Sequence, residues 1–139
     1  MDTPPVQAGF REVAHTADWE IEVWAPDLRS LIEQAARGMY TLTNTRLAEG
    51  PRQQRILKLP PGDRENLLVG FLSDLIYLSE VEGLGVDRFD LRLEGEGLTA
   101  RLEGAPIASR AKEIKAVTYH GLSIQESESG LQANLVFDV

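Results

Sequence analysis

The sequence predicts an α/β (α+β) two-layer sandwich, in which a mixed, largely antiparallel sheet carries two amphipathic helices on one face. Three observations lead there. Two windows, Leu28–Tyr40 and Leu67–Leu78, repeat apolar residues at helical spacing. About seven other windows read as strands, several with strict alternation. Tight turns join many of those strands, which leaves no room for crossover helices and favours antiparallel neighbours.

Phe10–Val13 is a short extended stretch, followed by the polar kink Ala14-His15-Thr16-Ala17-Asp18. Trp19-Glu20-Ile21-Glu22-Val23-Trp24 then alternates, with Trp19, Ile21 and Val23 on one face and Trp24 on the other. Pro26 stops this strand, and Asp27 is a helix N-cap. Leu28, Leu31, Ile32, Ala35, Ala36, Met39 and Tyr40 form the stripe of a first helix that frays near Thr43. Asn44–Gly50 is expected to be loop. Gln53–Leu59 reads as a strand with Arg55 outward and Ile56 or Leu57 inward.

Pro60-Pro61-Gly62 marks a turn, and Asp63 caps a second helix. Leu67, Leu68, Phe71, Leu72, Leu75, Ile76 and Leu78 make its stripe, and Gly83 is the natural stop. Beyond it, Val86–Leu93, Leu98–Glu103, Ile114–Tyr119, Leu122–Gln125 and Leu131–Phe137 read as strands. Gly95-Glu96-Gly97 and Glu128-Ser129-Gly130 read as hairpin turns. One sheet face packs on the helices; the other needs cover from folded-over strands or a partner.

The 139 residues are one domain's worth. The expected division is a disordered lead-in over residues 1–9 and a single domain over 10–139. With 42% apolar and 26% charged residues, the composition is that of an ordinary globular domain. The absence of cysteine excludes a disulfide framework, a zinc ribbon and a thiol nucleophile. No apolar run reaches membrane-spanning length, and the first nine residues lack a signal peptide's apolar centre. The expected compartment is the cytoplasm, with no membrane partner.

Net charge is −8. Residues 1–60 hold 8 acids and 7 bases, and residues 61–139 hold 14 acids and 7 bases. Phosphate backbones bind lysine and arginine, so no strong direct nucleic-acid binding is expected. An acidic surface suits cations and basic protein partners. Neither a phosphate-binding glycine loop nor a nucleophile elbow nor a zinc-protease motif is present.

Three clusters remain as candidates. His15-Thr16-Ala17-Asp18 sits in a kink that presents side chains, where Asp18 suits a hard cation and equally suits ordinary turn capping. In Lys115-Ala116-Val117-Thr118-Tyr119-His120, alternation sets Lys115, Val117 and Tyr119 on one face and Ala116, Thr118 and His120 on the other. Lys115 there is either an anion-holding residue or an edge-strand lysine that blocks aggregation. The sequence ends on an apolar strand, so Asp138 and the carboxylate of Val139 are adjacent acids that call for a cation or a proton. Asp18, Asp138 and Val139 make a sensible partial calcium shell. The alternative for Asp138 is a salt bridge to Lys115 or an arginine.

These motifs, in this order and at these distances from each end, resemble the archease family over about residues 10–139. The resembling segments are His15-Thr16-Ala17-Asp18, the helix from Leu67 to Glu82, Lys115 to His120, and the ending Asp138-Val139. The resemblance implies an accessory protein, not an enzyme. Archeases activate RtcB-type RNA ligases in tRNA splicing and RNA repair by promoting ligase guanylylation and multiple turnover. They are also proposed as chaperone-like modulators of a tRNA methyltransferase. The family's divalent-metal site maps onto Asp18, Asp138 and Val139, with calcium the expected ion and manganese or magnesium the alternatives. Lys115 maps onto the family's functionally important lysine, and His15 and His120 fall within the same partner-facing motifs. Two departures stand out. Trp19 follows the motif aspartate where an aliphatic residue is usual, and Gly104–Arg110 is poor in acids and histidines.

Overall fold

The computed structural model describes residues 7–14 and 19–139. Among these, nine strands and two helices follow in the order β1 (Gly9–Glu12), β2 (Trp19–Ala25), α1 (Leu28–Leu42), β3 (Arg46–Leu47), β4 (Gln53–Leu59), α2 (Arg64–Glu82), β5 (Leu84–Glu94), β6 (Gly97–Ser109), β7 (Ala116–Thr118), β8 (Gln125–Ser127) and β9 (Gly130–Asp138). Most of the expected lead-in lies outside the described residues; Gly9 already pairs with Trp24 in β1.

Both helices begin where their caps are written. The Ser30 N–H donates to Asp27 Oδ1 at 2.8 Å, and the Asn66 N–H donates to Asp63 Oδ1 at 2.8 Å. These bonds satisfy amides that the first helical turn leaves without partners. At the end of α1, the buried Thr43 hydroxyl donates to the Met39 carbonyl at 3.1 Å. Gly83, at φ 62°, ends α2 in the left-handed region.

The α+β class is as the sequence predicts, but the strands divide into two antiparallel sheets where a single sheet was expected. In the first, the order is β1-β2-β9-β7, with β8 also on β9. In the second, β6 is central, flanked by β5 on one side and by β4 and β3 on the other. The second sheet grows locally. The β5–β6 hairpin turns on Gly95 (φ 56°) and Glu96 (φ 67°), two left-handed residues whose twist matches that of paired strands. The first sheet is long-range: β2 pairs with β9 from Trp19↔Phe137 to Ala25↔Leu131.

The helices lie between the two sheets. α1 packs on β1, β2 and β9, and α2 packs on β4, β5, β6 and β7, while the helices also touch each other. Ile21, Val23, Leu31, Ile32, Phe71, Leu72, Leu75 and Leu135 share one core. Their burial is the main favourable term in the fold.

Several local expectations change in this context. The segment 44–50 contains β3, because Leu47 pairs with Ile107 near the end of β6. Arg55 is half-buried on the Leu57 face and pairs with Glu82 of α2, while Ile56 is 58% exposed on the outer face. A guanidinium can extend to the sheet edge for its charge partner while its stem covers apolar surface. The expected strand over Ile114–Tyr119 shortens to Ala116–Thr118, since Ala116 already lies opposite Asp138. The expected Leu122–Gln125 strand moves on to Gln125–Ser127, because the Leu122 N–H closes a turn onto the Tyr119 carbonyl at 3.0 Å. Trp19 packs partly on the core, and Trp24 is half-buried on the opposite face.

Candidate functional site

The end of β9 and the start of β7 build the site. The Lys115 N–H donates to the Asp138 carbonyl oxygen at 2.8 Å. Beyond it, Ala116, Val117 and Thr118 pair with Asp138, Phe137 and Val136. Alternation then separates the side chains. Phe137 and Val117 face the core, whereas Asp138 and Ala116 face outward. Lys115 directly precedes β7, and like Asp138 and Ala116 it is exposed.

This arrangement removes one alternative. Among the described residues, Asp138 has no ion-pair partner, neither Lys115 nor an arginine. The two residues meet through the main chain, and both side chains are exposed. Val139 is half-buried against the core. His120 is exposed, with its own N–H donating to Thr118 Oγ1 at 3.3 Å. Asp18 and His15 lie outside the described residues. The residue bonded to Asp18 is Trp19, which pairs with Phe137, the neighbour of Asp138.

Residues the motifs did not single out support this end of the sheet. The Tyr119 hydroxyl donates to Asn66 Oδ1 at 2.6 Å, and the Ile124 N–H donates to Glu65 Oε1 at 3.1 Å. Thus the first turn of α2 clamps the chain on both sides of His120. Arg110 donates to Ser79 Oγ at 2.6 Å, and the Lys112 ammonium sits 5.5 Å from the Trp19 ring centroid. That cation–π contact ties the 110–115 segment to β2. The capping sequence after Asp63 announces a helix start; nothing local announces these long-range partners.

Among the described residues, no three Asp, Glu, His or Cys side chains gather as a metal cluster. The described donors are the exposed Asp138 carboxylate and Val139. Their oxygen-only character suits a hard cation such as calcium, magnesium or manganese, and does not suit a thiolate- or imidazole-seeking metal. Among the described residues, no helix is long and apolar enough to cross a membrane.

Comparison with known proteins gives a consistent set of likenesses. The model of the Archease protein family (MTH1598/TM1083) matches residues 10–139. The archease of Methanosarcina barkeri is 33% identical over 140 residues, covering 94% of this chain and 95% of the relative. That of Methanothermobacter thermautotrophicus is 28% identical over 139 residues, covering 94% and 99%. The crystal structure of the Thermotoga maritima archease, described as a possible chaperone, has a TM-score of 0.69 at 24% identity and covers 93% of this chain and 96% of that one. At that identity the likeness is one of fold.

Proposed function

Because this chain belongs to the archease family, we propose that it is a non-enzymatic, cation-holding accessory protein that activates an RtcB-type RNA ligase in tRNA splicing and RNA repair. The supporting observation is a convergence at one end of the first sheet. Trp19, bonded to Asp18, lies opposite Phe137, and the Lys115 amide holds the Asp138 carbonyl. Segments far apart in sequence thereby bring Trp19, Asp138 and Lys115 to one end of the sheet.

In this reading Asp18, Asp138 and Val139 hold the divalent ion, with calcium favoured and manganese or magnesium as alternatives. Such an ion supplies positive charge that neutralises phosphate oxygens in a nucleotide pocket. Lys115 offers its exposed ammonium, which holds a phosphate or carboxylate of the partner. His15 and His120 belong to the same contact region. The charge of −8 supports a basic protein partner over bare RNA. Ligase guanylylation and multiple turnover are the activities it promotes, and the cytoplasm is its compartment.

The test pairs turnover with melting. Wild-type chain should stimulate a purified RtcB-type ligase. Calcium should raise its melting temperature, since an ion that binds only the folded site stabilises by mass action. Asp18→Asn and Asp138→Asn should each lose both effects without unfolding the apoprotein, because neutralising one of two crowded carboxylates relieves repulsion. Full stimulation by either variant, or an unchanged calcium shift, defeats the reading. Stimulation of a tRNA methyltransferase with no effect on the ligase favours the chaperone-like alternative.

A further inference from the structure

α2 carries apolar residues on every side, unlike α1, whose Arg29, Glu33, Gln34, Arg37 and Thr41 line a polar face. A helix apolar all round is the signature of burial on all sides. Leu67, Leu68, Val69, Phe71, Leu72, Leu75, Ile76 and Leu78 are indeed buried. One stripe is left open. Asn66, Gly70, Ser73, Tyr77 and Val81 recur at spacings of three and four, so they stand above one another on a single face. Tyr77 is 59% exposed and Val81 61%. At the head of the stripe stands the Tyr119 ring, 55% exposed, its hydroxyl on Asn66. Between the two tyrosines lie Gly70, half-buried beside the Leu59 side chain, and the exposed Ser73. The whole stripe is about 22 Å long at 1.5 Å per residue.

Resting on the ligase reading above, we propose that this stripe is the docking face for a basic, apolar-bearing segment of the partner protein. Charge selects the occupant. Asp74 flanks the stripe on one side and Glu80 on the other, and from Asn66 to Glu82 the helix has no lysine or arginine. Among the described residues, neither Asp74 nor Glu80 has an ion-pair partner, whereas Glu82 is taken by Arg55. Partial burial raises the Asp74 carboxyl, so its charge is costly until a cation arrives. A second copy of this chain would set like charges against each other across a two-fold contact. RNA would present phosphates to carboxylates. A segment with Lys or Arg beside aliphatic or aromatic anchors meets both the apolar stripe and its acidic flanks.

The experiment measures binding of purified RtcB-type ligase to immobilised full-length chain. Tyr77→Ser with Val81→Ser should weaken affinity at least about tenfold, as loss of central apolar anchors does. Val81→Arg, which places a like charge against a basic segment, should weaken it too and guards against a folding defect in the double variant. Asp74→Asn with Glu80→Gln should slow association and flatten its salt dependence. Ile56→Ser, equally exposed but on the second sheet, should change nothing, and all variants should keep the calcium-induced melting shift. Wild-type affinity in both the Tyr77/Val81 and Val81→Arg variants overturns the docking face, while continued ligase stimulation by wild type leaves the functional reading standing. Wild-type chain that neither binds nor stimulates the ligase overturns that reading and the partner assigned here. A wild-type dimer that Tyr77→Ser with Val81→Ser converts to monomer overturns the proposal in favour of a second copy.

Discussion

Lys115 and Asp138 are joined by their main chains and not by their charges: the Lys115 N–H donates to the Asp138 carbonyl oxygen at 2.8 Å, while the two side chains are exposed and form no ion pair with each other. The main-chain bond fixes the two backbones, and among the described residues neither the ammonium nor the carboxylate has an ion-pair partner.

That geometry separates two roles for position 115. Lys115→Ala keeps the N–H and removes only an exposed side chain, so stability should move by less than about 0.5 kcal/mol. Ligase stimulation should fall sharply. Lys115→Pro removes the N–H and should cost about 1 kcal/mol or more, because it unpairs β7 from β9. Thermal melts beside a stimulation assay decide it. If Lys115→Ala melts as low as Lys115→Pro, the side chain is structural and the functional role fails.

The α1 cap should show itself in acid. The Ser30 N–H holds the Asp27 carboxyl below the usual carboxylate range, outweighing the opposing effect of burial. The folded value therefore lies below the unfolded one, near 3.9. Asp27's stabilisation is fully present above the unfolded value and is lost as pH falls through the folded one. Asp27→Ala should cost about 1 kcal/mol at neutral pH. In urea melts from pH 7 downward, its deficit against wild type should shrink below about pH 4. A deficit that stays constant to pH 2 means the carboxylate is not the cap that matters.

Gly104 is a steric requirement of the β5–β6 pairing. A Cβ there would stand 1.8 Å from the Gly85 carbonyl oxygen, beside the register shift between Val86 and Arg88. Main chain cannot give way as a side chain can, so Gly104→Ala should cost at least about 3 kcal/mol. Gly62→Ala, whose added Cβ meets nothing nearer than 3.8 Å, is the control and should stay within about 0.5 kcal/mol. Equal urea midpoints for the two variants would contradict the close approach.

The two helices and their caps, the Gln53–Leu59 strand and the hairpin at Gly95-Glu96 are all legible in the sequence, and each depends on neighbours within a few residues. A cap needs a side chain three positions from an amide, and an amphipathic helix needs a period of 3.6. Lys115, Asp138 and Val139 were legible as members of recognisable motifs. The outward side of β4 was not, because Arg55 turns toward Glu82 only once α2 has packed there. Nor was the division into two sheets, which follows from β9 returning to β2 across more than a hundred residues.

By itself, then, the amino-acid sequence determined where the chain coils and turns, which faces are apolar, and that its charge favours basic partners. The tertiary structure alone decided what lies beside what. It set Asp138 against Lys115 and Phe137 against Trp19, and left Tyr77 and Val81 uncovered on a helix whose other large apolar side chains are buried. The reason is physical: local elements are set by side-chain period and nearby hydrogen bonds. Sheet partners and open faces are set by which apolar surfaces meet once loop closure has brought distant segments together, and no short window of sequence contains that information.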